Sequence, residues 1–438
     1  MRALKFYQTG SLDDLRIEEV TMPTPAAGEV LVEVKAAAIN PSDIKNVQGK
    51  MHETTVPRIP GRDFAGRIVK GPDELLGRSV FGSGGNLGFG RDGSHAEYLA
   101  IPVTAVIPLP KNLSFAQAAG MGVAYITAWA AMVNAAQIHA GETTLILGTT
   151  GAVGSAAARI AHKFGARVIG TARKASDVPA ANVVPVDDWI DLETVDLATG
   201  VRRLTNGRGA DIVFDVVGGA MFEQCLGALA WRGRQVAISS SPEPRVSFNL
   251  VDFYHNESRL LGVDSLKLSF EETAEILRGL TPGIEAGVFP PPAVGTFPLG
   301  EGPRLYRDIA ESRSKPSQSW FPENCSLLHF MWRNPGAIGA MPIGLSELCC
   351  QPICESDLTF ACAWAEVAAQ SKCRYERHSP PSPGRLKLAS KIGVRGNDPS
   401  GFDVKEATNI SPRSFLAIVL GLALQNTLGM SFRAISER

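Results

Sequence analysis

Cysteine is nearly absent from most of this 438-residue chain, since only Cys225 falls within the first 315 residues. Such scarcity is typical of cytosolic enzymes. The other six cysteines all lie between residues 316 and 438. This sharp break in composition indicates two regions of different origin, a cysteine-poor body and a cysteine-richer tail.

A charge excess and a long hydrophobic run are also lacking. The 43 basic and 44 acidic side chains give a formal net charge of −1. Because nucleic-acid and acidic-membrane binders normally carry a clear basic excess, we expect no nucleic-acid and no membrane partner. The longest apolar run, Phe415 to Leu424, has ten residues, whereas a membrane span needs roughly 20. Since residues 1–8 contain no signal-peptide core, we expect a soluble, cytoplasmic protein.

The length predicts two domains with residues to spare, at roughly 150 residues per domain. The first domain is expected to be rich in β-structure. Residues 29–35 alternate apolar and polar side chains, as a half-buried strand does. Residues 61–70 and 96–101 indicate further short strands, which favours an irregular β domain or a partial barrel. The glycine-rich stretch 82–93 is expected to be a flexible loop.

From about residue 115 the pattern changes to alternating helices and strands. Apolar runs of strand length begin at residues 143, 166, 210 and 234, and helical segments lie between them. Such alternation, sustained over about 120 residues, predicts a doubly wound parallel sheet. The expected fold class is therefore α/β, with a β-rich domain before the sheet and an irregular tail after it.

A glycine loop joins the first strand of this alternation to its helix. Counting back from Gly154, the first-glycine position of the standard G-x-G-x-x-G pattern holds Thr149, so the fit is G-x-x-G-x-x-G. A strand, a glycine loop and a helix let the backbone approach a pyrophosphate while the helix N–H groups point at the anion. A glycine-rich turn without a ligand is the alternative. The predicted cofactor-binding residues are Gly148, Thr149, Gly151, Ala152, Val153 and Gly154.

The end of the next strand predicts which dinucleotide is bound. NAD sites usually carry an acidic residue there, which binds the ribose 2′-hydroxyl. This chain has Thr171, Arg173 and Lys174 instead, with no acid. Because two cations could neutralise a 2′-phosphate, NADP(H) is the expected cofactor and these three residues its expected contacts. A solvated strand end is the alternative for the two cations.

Six motifs follow one another in order between residue 1 and about residue 313. They are Ala38-Ile-Asn-Pro-Ser-Asp-Ile-Lys, Pro60-Gly-Arg-Asp-Phe-Ala-Gly, Thr127-Ala-Trp, the glycine loop, Phe214-Asp-Val-Val-Gly-Gly and Leu260-Leu-Gly-Val-Asp-Ser. As an ordered set they resemble the medium-chain dehydrogenase/reductase superfamily, and above all its zinc-less quinone-oxidoreductase branch. The resemblance implies a GroES-like catalytic domain interrupted in sequence by a Rossmann cofactor domain. We expect the catalytic domain at 1–120 and 265–315, the Rossmann domain at 121–264, and an aberrant extension at 316–438.

The resemblance also shows which metal ligands are missing. Zinc alcohol dehydrogenases of this superfamily carry a Cys ligand where Asn40 stands and a His-Glu pair where Arg62 and Asp63 stand. Their structural zinc needs four closely spaced cysteines, and residues 80–115 contain none. We therefore expect no metal site. Asp43 and Asp63 could be active-site acids or structural carboxylates, and Arg62 is expected to form a salt bridge near Asp63 or to supply positive charge in the cleft.

The resemblance implies a zinc-independent, NADPH-dependent oxidoreductase that transfers hydride to a small electrophilic substrate. The expected acceptors are quinones and α,β-unsaturated carbonyls, whose developing oxyanion can be stabilised by hydrogen-bond donors. Asn40 and Thr127 are implied to flank the nicotinamide, and no proton donor can be assigned. The further cofactor contacts implied are Ser239, Ser240, Val263 and Asp264.

Two other functions stay open. One is an enoyl reductase that acts on a thioester or a polyketide-like intermediate, and the other is a nucleotide-binding scaffold without turnover. Relatives in the family imply a homo-oligomer, either a dimer or a tetramer.

The tail after residue 315 carries no sustained periodicity. Cys349, Cys350 and Cys354 form a C-C-x₃-C pattern without a matched second pair, which is weak evidence for a metal site. Our hypothesis is that this tail is an aberrant extension, such as the product of a frameshift or an unspliced intron.

Overall fold

The computed structural model describes residues 1–179, 183–239 and 244–311, together with the short strands at 318–320 and 328–329. All of them belong to the unit Met1–Pro342, and the unit Ile343–Arg438 lies outside the described residues. Ser240 and the three clustered cysteines of the tail also lie outside them. The predicted domain boundaries stay a prediction.

The described residues form strands in three consecutive groups, with helices between them. The β-rich part contains β1 (Arg2–Lys5), β2 (Arg16–Glu19), β3 (Glu29–Ile39), β4 (Asp63–Lys70), β5 (Ser79–Gly82), β6 (Tyr98–Pro102) and β7 (Ile107–Pro108). The central part contains β8 (Thr143–Ile146), β9 (Arg167–Ala172), β10 (Asp188–Asp191), β11 (Ala210–Asp215), β12 (Leu229–Ala237) and β13 (Arg259–Gly262). The last two are β14 (Gln318–Trp320) and β15 (Leu328–His329). The α-helices are α1 (Pro41–Val47), α2 (Phe115–Trp129), α3 (Ala152–Lys163), α4 (Leu197–Leu204), α5 (Phe222–Gly227), α6 (Leu250–His255), α7 (Phe270–Glu285) and α8 (Gly302–Ala310).

Strand β3 is the centre of the β-rich domain. One of its edges pairs antiparallel with β4, and the other pairs antiparallel with β6 and, at its end, with β14. Val30, Val32 and Val34 are buried, while Glu33 and Lys35 on the opposite face are half-buried, which is the alternation that the sequence predicts. The β-rich domain expected from the sequence is confirmed.

The glycine-rich stretch 82–93 is packed into this domain. Leu87 and Phe89 are fully buried in it. A Cβ added at Gly88 would lie 2.9 Å from the backbone of Gly61, so the two segments approach as closely as glycine allows. The expectation of a flexible loop is therefore wrong, because these glycines serve close packing between main chains.

The central strands form one parallel sheet in the order β10-β9-β8-β11-β12-β13. This is the strand order of a Rossmann fold, in which ligands bind where the order reverses, here between β8 and β11. Consecutive residues such as Leu145 and Ile146 belong to different core clusters, one on each face of the sheet. The doubly wound sheet predicted from the sequence is thereby confirmed.

Helix α2 begins at a capping box, in which Ser114 and Gln117 exchange hydrogen bonds. It continues into a π-helical turn, Ala130–Ala135. Among the described residues, only this combined helix has the length and composition that could cross a membrane, and 83% of that stretch is buried inside the protein. It is a core helix.

Candidate active site

Asn40 connects two strands of the β-rich domain through hydrogen bonds. It follows β3 directly and precedes α1, whose first residue is proline. The main-chain N–H of Asn40 donates to Asp43 Oδ2 over 2.7 Å, and its side-chain Nδ2 donates to Asp63 Oδ2 over 2.9 Å. The amide that was predicted to flank the nicotinamide is therefore held by a carboxylate of β4.

Asp63 is buried between β4 and α2. Its Oδ1 accepts a hydrogen bond of 2.9 Å from the Val123 main-chain N–H. This approach depends on Gly122, because a Cβ there would lie 2.2 Å from Asp63 Oδ1. Burial raises the pKa of Asp63, while the hydrogen bonds from Asn40 and Val123 act against that rise.

Arg62 and Asp43 are the other buried charged groups at this place. Arg62 Nη2 donates to the main-chain oxygen of Ser265 over 3.1 Å. Within the described part of the chain, no carboxylate oxygen lies within 4.0 Å of its guanidinium nitrogens. The expected salt bridge is therefore not formed, because the guanidinium bonds to the segment that follows β13. Burial raises the pKa of Asp43 to about 7, against the lowering effect of the Asn40 N–H and of Arg62.

Thr127 completes the buried group. Its hydroxyl donates to Ser265 Oγ over 2.9 Å, and it lies four residues after Val123 on the same face of α2. Asn40 and Thr127, the two predicted catalytic residues, are thus held on one side by Asp63 and Val123 and on the other by Ser265. Sequence analysis missed Ser265, whose only signal was its place directly after Val263 and Asp264. We call Asn40, Asp43, Arg62, Asp63, Thr127 and Ser265 the polar cluster.

The glycine loop has the geometry that a bound dinucleotide requires. Gly148 lies two residues after β8 with φ at +63°, a backbone conformation that residues with side chains rarely adopt. A Cβ at Gly154 would lie 2.3 Å from the Gly148 carbonyl oxygen, so α3 begins very close to the strand end. Gly151 precedes α3 without a side-chain cap, and the first helical residues are Ala152 and Val153. The amides of that first turn remain for an anion.

The side chains of Thr149 and Thr171 connect the glycine loop to β8 and β9 through hydrogen bonds. The buried Thr149 hydroxyl donates to the Ile146 carbonyl over 2.6 Å and accepts from the Thr171 main-chain N–H over 2.9 Å. The Thr171 hydroxyl in turn accepts from the Gly148 N–H over 3.3 Å. Both hydroxyls are therefore engaged in holding β8, β9 and the loop together.

The two predicted cations lie just beyond β9. The Arg173 side chain is 79% exposed, and its Nε is 3.7 Å from Asp177 Oδ2. Lys174 is exposed and starts a short 3₁₀ turn, Ala175–Asp177. Both ammonium and guanidinium groups can therefore reach a ligand at the carboxyl end of β9, where the nucleoside of a dinucleotide binds.

The remaining predicted cofactor contacts lie at the ends of β12 and β13. Ser239 is half-buried, and the Val263 main-chain N–H donates to the Ala237 carbonyl over 3.0 Å. Asp264 Oδ2 is 3.1 Å from His52 Nε2. Lys267 also forms an ion pair with Glu53. The segment after β13 thus contacts the β-rich domain at several points.

The donor set of the polar cluster does not suit zinc. Cys, His and carboxylates are the ligands that zinc prefers. The cluster offers only two of them, the carboxylates of Asp43 and Asp63, and its other groups include the Asn40 amide and the Arg62 guanidinium. No group of three or more His, Cys, Asp or Glu side chains that could hold a metal ion occurs in the described ranges. Operation without zinc stays a prediction about the reaction.

Comparison with known proteins matches both domains. Residues 26–111 match the family model of the alcohol dehydrogenase GroES-like domain, and residues 152–280 match the model of zinc-binding dehydrogenases. A zinc-type alcohol dehydrogenase-like protein of Schizosaccharomyces pombe is 36% identical over 293 residues, which cover 66% of this chain and 86% of that protein.

Two further proteins are similar to this chain over most of their own length. Human quinone oxidoreductase is 26% identical over 313 residues, which cover 70% of this chain and 94% of the human protein. The solved structure of an NAD-dependent alcohol dehydrogenase superimposes with a TM-score of 0.66 at 28% identity, covering 73% of this chain and 99% of the other. On these matches, the chain belongs to the medium-chain dehydrogenase/reductase superfamily of oxidoreductases, in its quinone-oxidoreductase-like branch.

Proposed function

We propose that this protein is an NADPH-dependent oxidoreductase that transfers hydride to a quinone or an α,β-unsaturated carbonyl. The observation that carries the proposal is the combination of an uncapped glycine loop at the switch point with two exposed cations at the end of β9. Members of this superfamily bind a nicotinamide cofactor. When bound, that cofactor supplies the hydride.

The choice of NADPH over NADH rests on charge. An acidic residue after β9 would accept hydrogen bonds from a ribose 2′-hydroxyl and would repel a 2′-phosphate. Arg173 and Lys174 stand there instead, and both can donate charge-assisted hydrogen bonds to phosphate oxygens. The carboxylate of Asp177 lies 3.7 Å from Arg173 Nε, and the Arg173 side chain remains 79% exposed.

The choice of an electron-poor acceptor rests on the donors of the polar cluster. Hydride addition to an enone or a quinone builds negative charge on a carbonyl oxygen, which preorganised N–H and O–H groups stabilise. The Asn40 amide is such a group, because one N–H of its Nδ2 is bound by Asp63 and orients the amide, while the second N–H is available to a substrate oxygen. Asp43, whose pKa is raised to about 7 by burial, can hold a proton near neutral pH.

The test is cofactor oxidation by the full-length protein, followed at the nicotinamide absorbance with a panel of quinones and enones. We expect turnover with NADPH that is clearly faster than with NADH. Turnover of enoyl thioesters alone would indicate the enoyl-reductase function instead. Cofactor binding without turnover of any acceptor would contradict the proposal and favour a scaffold.

We also propose that the protein forms a homodimer through the β13 edge of the parallel sheet, working in the cytoplasm. β13 has an unpaired edge in the described chain, and such an edge pairs readily with a second strand. Apolar side chains are exposed beside it, namely Leu260 at 43%, Tyr254 at 55%, Trp231 at 59% and Leu250 at 63%. A second copy related by a two-fold axis would pair its β13 edge with this one and would cover the exposed apolar side chains of both copies.

Sedimentation velocity tests the dimer. Leu260→Lys should shift the protein toward the monomer, because a charge would be buried at the strand edge. Val69→Lys is the matched control, since Val69 is also a strand residue and is 44% exposed. If the unmodified protein and both variants all sediment as monomers, the proposed dimer is contradicted.

A further inference from the structure

Arg62 is a buried cation with an unusual hydrogen-bonding pattern. Its side chain is almost completely enclosed, at 3% exposure, and its Nε has no hydrogen-bond partner in the described chain. Its one hydrogen bond goes to a main-chain carbonyl, that of Ser265. Because a guanidinium stays protonated in proteins, a full positive charge is kept out of water here.

The positive charge of Arg62 is balanced by negative charges that are not in direct contact with it. Asp43 and Asp63, both buried, are the strongest of the neighbouring negative charges that act on Arg62. The Phe89 ring also faces it, with the guanidinium carbon 5.9 Å from the ring centroid. These groups stabilise the cation without binding it directly, so the guanidinium remains directed at Ser265.

Ser265 is held from two sides. Its carbonyl oxygen accepts from Arg62 over 3.1 Å, and its hydroxyl oxygen accepts from Thr127 over 2.9 Å. Arg62 belongs to the β-rich domain, whereas Ser265 follows the last strand of the parallel sheet. The bond between them spans 203 positions in the sequence and joins the β-rich domain to the segment that follows the parallel sheet.

Two ion pairs also join this segment to the β-rich domain, and both are exposed. In the ion pair of His52 with Asp264, the two side chains are 52% and 42% exposed, and in that of Glu53 with Lys267 they are 42% and 58% exposed. Exposed ion pairs contribute little to stability because water competes for both charges. The buried hydrogen bond from Arg62 to Ser265 therefore holds this segment to the β-rich domain more strongly than the two exposed ion pairs do.

We propose that Arg62 is a positioning residue of the hydride-transfer site, which fixes Ser265 and, through Ser265, the Thr127 hydroxyl at the nicotinamide end of the cofactor site. This proposal rests on the proposed function. It assigns Arg62 to the nicotinamide end and not to the adenosine end, where Arg173 and Lys174 lie. It also explains why a charge is retained in a place where a neutral side chain would be easier to bury.

The experiment compares the binding of two probes to Arg62→Met by isothermal titration calorimetry. One probe is NADPH, and the other is 2′-phospho-ADP-ribose, which lacks the nicotinamide ring. We expect the affinity for NADPH to fall about tenfold, while the affinity for the fragment stays within about twofold. The turnover number should fall in parallel, and Arg62→Lys should restore part of the NADPH affinity because it keeps the charge but not the planar fork.

Arg167→Met is the matched control. Arg167 also donates to a main-chain carbonyl, that of Leu204 over 2.8 Å, but it starts β9, at the end of the sheet opposite to the glycine loop. We expect its binding of both probes to be unchanged. A parallel loss of both probes in Arg62→Met would indicate a merely structural role, and no loss of either would show that Arg62 positions nothing; both results overturn the proposal.

If Arg62→Met does not fold, Ser265→Ala tests the second step of the proposal, since it removes the acceptor of the Thr127 hydroxyl and keeps the main-chain carbonyl to which Arg62 bonds. We expect it to weaken NADPH relative to the fragment, and equal binding of both probes to Ser265→Ala and to the unmodified protein would overturn the proposal. Measurements on the unmodified protein separate a failure of the proposed NADPH-dependent function from a failure of the proposed role of Arg62. If the unmodified protein binds NADH and not NADPH, the proposed cofactor is wrong, and the comparison is then made with NADH and ADP-ribose.

Discussion

The Tyr306 hydroxyl lies 2.9 Å from the Nδ1 atom of His95, and both side chains are completely buried. The other ring nitrogen of His95, Nε2, is 3.0 Å from the Ala38 carbonyl oxygen. Because a carbonyl only accepts, Nε2 carries the proton and Nδ1 accepts from Tyr306. The pair therefore connects α8 to β3, the strand that ends directly before Asn40.

Removing the Tyr306 hydroxyl should destabilise the protein. Tyr306→Phe removes the hydroxyl that donates to the buried Nδ1 of His95, and the loss of a buried hydrogen bond costs about 1–3 kcal/mol. Chemical denaturation measures this loss. Tyr7→Phe is the control, because the Tyr7 hydroxyl bonds to Glu18 at the surface and its removal should change the unfolding free energy very little. Equal stabilities of the two variants would contradict the assigned hydrogen bond.

Two buried groups should give the stability opposite pH dependences. Burial lowers the pKa of His95 to about 4, from 6.5, so the unfolded chain binds a proton that the folded one does not. Its contribution is present above pH 6.5 and is lost as the pH falls toward 4. Burial raises the pKa of Asp43 from 3.8 to about 7, so its contribution is present below pH 3.8 and is lost as the pH rises through 7.

Asp43→Asn should therefore reveal the effect of His95. The variant lacks the opposing contribution, so its unfolding free energy should rise more steeply between pH 4 and 6.5 than that of the unmodified protein. In His95→Gln the slope should change in the opposite direction, because only Asp43 remains. Unfolding curves measured across this range test both expectations, and identical slopes for all three proteins would contradict the burial of these groups.

Gly122→Ala should damage the polar cluster. The added Cβ would lie 2.2 Å from Asp63 Oδ1, so either α2 or the carboxylate must move, and the hold on Asn40 is lost. We expect a destabilisation of about 1–3 kcal/mol, as for other overpacked cores, together with a loss of turnover. Gly279→Ala is the control, since its Cβ in α7 would meet nothing within 4 Å. It should be neutral or stabilising by up to about 1 kcal/mol.

Replacing Arg173 and Lys174 by Ala should change the cofactor preference. We expect kcat/KM for NADPH to fall by about tenfold or more, and that for NADH to change by less than about twofold, because only NADPH carries the 2′-phosphate. The matched control removes the same charge from two exposed residues of the β-rich part, Arg78 and Lys111. Equal losses with both cofactors would contradict the proposed phosphate contact.

The sequence allowed the local parts of the site to be predicted. A strand, three glycines and a helix lie within twenty residues, so their geometry follows from local rules, and Gly148 and Gly154 occupy the conformations that those rules require. The alternation of strands and helices likewise predicts the parallel sheet, because each connection has one favoured hand.

The long-range contacts could not be predicted. The bond from Arg62 to Ser265 joins residues 203 positions apart, and that from Tyr306 to His95 joins residues 211 positions apart. Nothing in local periodicity relates such positions, so Ser265 was missed and Arg62 was expected to pair with a neighbouring carboxylate. The glycines of residues 82–93 were misinterpreted for the same reason, because their close neighbours are distant in sequence.

Strand β14, which lies beyond residue 315, pairs with β3 directly before Asn40, one of the two predicted catalytic residues. Gln318 pairs with Ile39, directly before Asn40, and Trp320 pairs with Ala37. A shortened protein that stopped at residue 315 would leave these last rungs of β3 without main-chain partners on that edge. Residues beyond position 315 therefore pair with the end of the strand that leads directly into Asn40. A protein trimmed at the break in cysteine content would lose this strand pairing next to Asn40, so functional assays need a chain that includes β14.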